Sequence, residues 1–100
     1  MPAPKPSAVV EYLAECFWPG VTEAALADLD ARARVCADAT EGTSKPVRYL
    51  GSTLVRSDEV VFCFFEGPSA EAVQTVAEQA AIPFERILES IHVPTGERSA

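Results

Sequence analysis

Three residues of this sequence carry side chains that suit a metal ion: Glu15, Glu66 and His92. Imidazole and carboxylate groups are common ligands of divalent transition metals and can together complete an octahedral or tetragonal shell. Glu15 is the most informative, because it interrupts an apolar segment and a carboxylate is costly to bury without a cation, a hydrogen-bond donor or a metal. The structural alternative for Glu15 is a salt bridge to an arginine such as Arg48, or exposure at an open edge. Glu66 can equally solvate a turn, and His92 can be a surface histidine.

A second group of residues could line a pocket for a small molecule, since it combines apolar bodies with polar tips. Its members are Tyr12, Trp18, Arg48, Tyr49 and Cys63. Ordinary amphipathic packing explains the same residues, and Cys63 would then fill a gap in the core. The single histidine has no serine or cysteine at a spacing typical of a nucleophile and its base, and the sequence has no glycine-rich phosphate loop. The sequence therefore identifies no catalytic residue and no site for an organic cofactor.

The composition favours one small ordered domain. The chain has 100 residues, of which 48% are hydrophobic, and a formal net charge of −7. Its 8 lysines and arginines are scattered, which argues against nucleic-acid binding, because affinity for phosphates needs clustered basic residues. The N-terminal segment lacks the apolar run of a signal peptide, and no segment approaches the ~20 apolar residues of a membrane-spanning helix. The 3 cysteines include no CxxC pair, which indicates free thiols and predicts a cytoplasmic protein.

The elements that position these residues alternate between strands and helices. Thr22 and Ser69 are typical N-cap residues, and an acidic residue lies in the first turn after each. Pro19 ends the first strand and Pro83 ends the second helix. The predicted elements are a leader at 1–7, strands at 8–18, 47–56, 59–66 and 84–93, helices from Thr22 to about Thr40 and from Ser69 to Pro83, a C′ glycine at Gly42, and a tail at 94–100. Residues 8–93 thus form one domain.

This order of strand, helix, strand, strand, helix, strand predicts a ferredoxin-like α+β sandwich. Two interleaved right-handed crossovers give a four-stranded antiparallel sheet in the order 4-1-3-2, with both helices on one face. The first strand and the run at 60–65 are apolar on both sides, so an apolar face of the sheet is left without helices. Such a surface is typical of an interface, and we expect a homodimer packed sheet against sheet, a ligand pocket on that face, or both. His92 then lies beside residues 9–11 and away from Glu15, although a dimer could bring their copies together.

Four segments of the chain resemble a known bacterial family, in the same order and at similar spacing. They are WPGVT at 18–22, VRYLGSTLV at 47–55, VVFCFFEGPSAEAV at 60–73 and AIPFERI at 81–87. Over residues 8–93 the chain is similar to the nickel-binding protein family, a former domain of unknown function. The resemblance implies a dimeric ferredoxin-like fold and a role in binding nickel, and the family's glutamate is retained at Glu15. The chain departs from the family pattern at 16–18, at Gly51 and at Gly67, and it has a single histidine.

Three functions remain open at this point. The first is a small cytoplasmic dimer that binds nickel or another divalent transition metal, as the resemblance implies. The second is a small dimeric enzyme of the α+β-barrel type that acts on an apolar or aromatic molecule. Its signature is a closed, mostly apolar pocket on the sheet face, with Arg48 or Glu15 inside. The third is a non-catalytic dimerisation module whose sheet face is filled by its partner.

Overall fold

The computed structural model describes residues 9–93. The leader predicted at 1–7 and the tail predicted at 94–100 lie outside the described residues. Within residues 9–93 the strands and helices follow the predicted order, with a short 3-10 turn at Arg56–Asp58. The elements are β1 (Val9–Phe17), α1 (Glu23–Asp38), β2 (Arg48–Val55), β3 (Val60–Glu66), α2 (Ala70–Gln79) and β4 (Arg86–His92). Neither helix in this part of the chain is long and apolar enough to cross a membrane.

The strands form one antiparallel sheet in the order β2-β3-β1-β4, which confirms the predicted topology. β1 and β3 are the central strands, and β2 and β4 are the edges. The two helices contact each other and pack on the same face of the sheet. The fold is therefore the ferredoxin-like α+β sandwich.

Both helices begin where the sequence predicts. The Thr22 hydroxyl accepts a hydrogen bond from the backbone N–H of Ala25 at 3.0 Å, and the Ser69 hydroxyl accepts one from Ala72 at 3.2 Å. These bonds satisfy backbone donors that the first turn of a helix leaves unpaired. Local side-chain chemistry thus sets the start of each helix, and with it the direction in which the chain leaves the sheet.

The end of α1 differs from the prediction, since the helix stops at Asp38 and not at Thr40. The hydroxyl of Thr40 donates a hydrogen bond to the Ala37 carbonyl at 2.6 Å and accepts one from the N–H of Val47 at 2.8 Å. These contacts join the end of α1 to the start of β2. Gly42, predicted as the C′ residue, lies in the turn beyond. The strands are also shorter than predicted by one or two residues at most of their ends.

The core lies between the helices and the sheet. Its largest fully buried side chains are Phe65, Leu29, Val61, Val73, Val76, Cys16 and Cys63. α2 packs on the sheet through Ala72, Val73, Val76 and Ala77, and α1 packs mainly through Leu29, Ala33 and Ala37. The small residues of α1 let the helix lie close to the strands beneath it.

The burial of β3 alternates, although its unbroken apolar run predicted a strand covered on both faces. Its residues at 61, 63 and 65 are fully buried beneath the helices, while those at 60, 62 and 64 are only half-buried on the other side. We call this second side the open face. It consists of positions 48, 51, 53 and 55 of β2, 60, 62, 64 and 66 of β3, 11, 13, 15 and 17 of β1, and 86, 88 and 90 of β4.

Candidate functional site

A β-bulge in β2 decides which of its side chains face the helices. The register of β2 against β3 shifts between Tyr49, which pairs with Phe65, and Gly51, which pairs with Phe64. Gly51 has a φ of +120°, which glycine tolerates far better than residues with a Cβ. Because of the extra residue, Tyr49 and Ser52 lie on the same side of the sheet, whereas a regular strand would place them on opposite sides.

A polar cluster beneath the helices links α1 to the two central strands. Asp30 of α1 accepts a hydrogen bond from the Tyr49 hydroxyl, and it accepts another from the Ser52 hydroxyl at 2.8 Å. On the same side of the sheet, Ser52 pairs with Cys63 of β3, and Cys16 of β1 is the diagonal neighbour of Cys63. Both cysteines are fully buried. We call these five residues the thiol cluster.

The thiol cluster shifts the acidity of its members in opposite directions. The hydrogen bond to Cys63, followed by burial, strongly raises the pKa of the Cys16 thiol. The hydrogen bond from Cys16 lowers the pKa of the Cys63 thiol, although burial acts against it. Burial, followed by the hydrogen bond to Asp30, strongly raises the pKa of Tyr49. The two thiols therefore titrate as a pair, and the loss of a proton from one raises the pKa of the other.

Sequence reasoning singled out Tyr49 and Cys63 for a pocket and did not connect them with Asp30 or Ser52. The signal that could have found the cluster is Gly51, since a glycine inside a strand suggests a bulge. A bulge changes which residues of the strand share a face.

The predicted pocket residues are distributed over both faces of the sheet. Tyr12 and Cys63 are buried beneath the helices, and Tyr49 is half-buried beside them. Trp18 follows the end of β1 and packs against the margin of the core. Arg48 is exposed on the open face, so the sheet separates it from Cys63.

Glu15 lies on the open face, towards one end of the sheet. Its carboxylate accepts a hydrogen bond from Nε of Arg86 at 2.5 Å. The arginine differs from the Arg48 suggested by the sequence, because Arg86 of β4 is the register partner of Glu15. Arg48 lies at the opposite end and forms an ion pair with Glu66 at 2.7 Å.

Glu15 and Glu66 are too far apart to share a metal ion within one chain. Glu66 pairs with Glu11, which precedes Glu15 by four residues on β1. At about 3.3 Å per residue, the two positions are about 13 Å apart along the strand. His92 pairs with Val9 at the Glu66 end of the sheet, as the sequence predicts. Among the residues that the structure describes, no three or more histidine, cysteine, aspartate or glutamate side chains are close enough to hold a metal ion.

The open face has charged ends and an apolar centre. Leu13, Phe62 and Phe64 are half-buried there, and Phe17 is 55% exposed. A depression of about 520 Å³ lies beside Glu15. Its lining residues are Glu15, Phe17, Val60, Glu85 and Arg86. Because it is open and mostly charged, it differs from the closed apolar pocket expected of the enzyme hypothesis.

The antiparallel sheet, with two helices on one face and the other face open, defines a small ferredoxin-like α+β protein. A family model described as nickel responsive protein SCO4226-like matches residues 12–89, and the chain belongs to this family. The crystal structure of SCO4226 from Streptomyces coelicolor A3(2) is similar to this chain, with a TM-score of 0.61 and 25% sequence identity. The match covers 87% of this chain and 99% of that one. Among curated proteins, none matches the chain significantly.

Proposed function

We propose that this chain is a nickel-binding protein that acts as a homodimer and holds its metal between two copies. Membership of the nickel responsive family is the observation that carries the proposal. The donor types fit a divalent transition metal, since carboxylates lie at both ends of the open face and the strand register places His92 at one of them. The described part of one chain does not assemble three such ligands. We therefore infer that the second copy completes the site.

The apolar centre of the open face supports packing of sheet against sheet. Half-buried aromatic and aliphatic side chains there would lose their remaining contact with water in a dimer, and burial of apolar surface is favourable. In an isologous dimer both copies use the same surface. The open face can form such an isologous interface, because its charged residues lie towards its ends.

The direction of the two-fold axis decides which charged ends meet. An axis that lies between the two sheets and perpendicular to the strands reverses the strand direction in the second copy. Glu15 of one copy then lies across from the end of the other copy that carries Glu66 and His92. This arrangement brings Glu15 of each copy to the end of the other copy's sheet where Glu66 and His92 lie on the two strands that flank β1.

Native mass spectrometry of the tag-free protein, with and without added nickel, tests the proposal. We expect a dimer that takes up nickel in a fixed ratio to protein. A dimer that stays free of nickel contradicts the metal-binding role and leaves a dimerisation module. A monomer at micromolar concentration contradicts the packing of the open faces.

Single substitutions test the ligands separately from the interface. We expect Glu15→Gln and Glu66→Gln to lower nickel uptake while the dimer persists, because glutamine keeps the shape of the side chain and removes its charge. Glu41→Gln is the matched control, since Glu41 is exposed in the turn after α1, away from the open face. Full nickel uptake in the Glu15→Gln/Glu66→Gln double variant would rule out these two ligands.

We also propose that the protein resides in the cytoplasm. Cys16, Cys36 and Cys63 are all free thiols, and free thiols are maintained in a reducing compartment. Fractionation of cells that produce the untagged protein tests this location. Recovery in the membrane or extracellular fraction contradicts it.

A further inference from the structure

Two buried thiols are neighbours at the centre of the sheet. Ala14 pairs with Cys63 and Cys16 pairs with Val61, so the two cysteines are diagonal neighbours on adjacent strands, beneath the helices. Diagonal neighbours on antiparallel strands are about 7–8 Å apart, just beyond the upper limit of about 6.8 Å between the Cα atoms of a disulfide. Both side chains lie on the helix-covered side of the sheet, so the two sulfurs share one layer of the core. Bonding the two sulfurs therefore requires the two strands to approach each other by roughly 1 Å.

A polar path connects this pair with the surface. Cys63 pairs with Ser52 of β2, and the hydroxyls of Ser52 and Tyr49 both donate to the carboxylate of Asp30. Tyr49 and Asp30 are both half-buried, so the path starts where solvent reaches and ends at the thiol. A small uncharged polar molecule would follow these hydrogen-bonding groups inwards from the surface. Cys16 lies beyond Cys63 on this path, so Cys63 is the first thiol that a molecule entering from the surface would reach.

We propose that Cys16 and Cys63 are a thiol-oxidation site, which a hydroperoxide converts to an intramolecular disulfide. In the first step the Cys63 thiolate attacks one oxygen of hydrogen peroxide, and the O–O bond breaks. The sulfur becomes a sulfenic acid, and the departing hydroxide takes up the proton that the thiol released and becomes water. In the second step the sulfur of Cys16 displaces the oxygen from Cys63. The S–S bond forms and a second water leaves.

The electron balance and the surroundings both suit this reaction. Two thiols and one hydrogen peroxide give one disulfide and two waters, so the thiols lose the two electrons that the peroxide gains. The lowered pKa of Cys63 supports its role as the attacking thiol, because the thiolate is the nucleophile. The product is uncharged, and the Tyr49 hydroxyl keeps its bond to Asp30. A disulfide at this place therefore leaves no charge and no unpaired donor in the apolar core.

The test treats the folded, tag-free full chain with hydrogen peroxide and then counts free thiols after unfolding. We expect the count to fall from 3 to one, together with the loss of two hydrogen atoms in the intact mass. A peptide map should join Cys16 to Cys63, and dithiothreitol should restore all thiols. Cys36→Ser is the matched control, since Cys36 lies on α1 outside the thiol cluster, and this variant should still lose two thiols.

Further variants separate the roles of the two cysteines. In Cys16→Ser we expect a sulfenic acid on Cys63 that dimedone traps, and in Cys63→Ser we expect no oxidation of Cys16 over the same period. Tyr49→Phe keeps the ring in the core and should slow the reaction several-fold. The proposal is overturned if the folded protein keeps all its thiols, or if the disulfide involves Cys36 or joins two chains.

Discussion

The hydrogen bonds to Asp30 offer the clearest test of how the thiol cluster stabilises the fold. In Asp30→Ala, the hydroxyls of Tyr49 and Ser52 lose their shared acceptor. A hydrogen bond to a charged group contributes about 1.5–3 kcal/mol to stability. Asp30 is half-buried, so water replaces part of both bonds in the variant. We therefore expect the free energy of unfolding to fall by about 2–3 kcal/mol in total, below the sum of two fully buried bonds.

Urea unfolding followed by circular dichroism measures this change, at one fixed protein concentration because association adds to apparent stability. For a domain of this size the same loss lowers the melting temperature by about 8–24 °C. Asp38→Ala is the matched control, since Asp38 ends the same helix and its side chain is exposed. We expect it to change stability by less than about 0.5 kcal/mol.

A double-mutant cycle then decides whether the hydrogen bonds account for the effect. The Tyr49 hydroxyl has no acceptor to lose once Asp30 is replaced, so Tyr49→Phe should destabilise the Asp30→Ala protein less than it destabilises the wild type. Strict additivity of the two changes, or an Asp30→Ala variant as stable as the Asp38→Ala control, would refute the reasoning.

Three more changes test the core, a helix start and the buried tyrosine. Phe65→Ala should lower the free energy of unfolding by about 3–5 kcal/mol, because Phe65 is fully buried and its ring centroid lies 5.1 Å from that of Tyr49. The control is Val35→Ala, since Val35 is exposed, and equal losses in the two variants contradict the burial of Phe65. Ser69→Ala should cost about 1 kcal/mol in thermal unfolding through loss of the α2 N-cap, and an unchanged midpoint contradicts the cap. The raised pKa of Tyr49 means that the folded state keeps a proton that the unfolded state releases above about pH 10, so stability falls as pH rises there. In Tyr49→Phe the free energy of unfolding should fall less steeply with pH, by about 1.4 kcal/mol per pH unit. Urea unfolding at several alkaline pH values measures this slope, and an unchanged slope contradicts the raised pKa of Tyr49.

The fold could be predicted from the sequence because its main signals are local. The N-caps at Thr22 and Ser69 depend on residues within the same turn, and the apolar run of β3 marks a strand by its own residues. The end of α1 was missed because Thr40 bonds to Val47, on the far side of a turn. Such a contact depends on how the elements pack, and no pattern among neighbouring residues of the sequence predicts it.

The candidate site was harder to predict, since it depends on register. The sequence suggests a salt bridge from Glu15 to an arginine such as Arg48 as one alternative, but only the pairing of β1 with β4 shows that the partner is Arg86. The thiol cluster depends on the bulge beside Gly51, which brings two residues of β2 to the same face. If β2 is assumed to alternate strictly, Tyr49 and Ser52 are predicted to lie on opposite faces of the sheet, even when the rest of the fold is predicted correctly.

The ion pairs of the open face oppose metal binding only weakly. Arg48 is 73% exposed and Arg86 is 63% exposed in their pairs with Glu66 and Glu15. Exposed pairs of this kind contribute about 0–1 kcal/mol each. A metal site with a micromolar dissociation constant supplies about 8 kcal/mol, which exceeds the loss of both pairs. Because the carboxylates lie towards the ends of the face and not in its apolar centre, water can keep solvating the released arginines in the proposed dimer. The arginines therefore compensate the charge of each carboxylate in the free chain and leave it available to a metal.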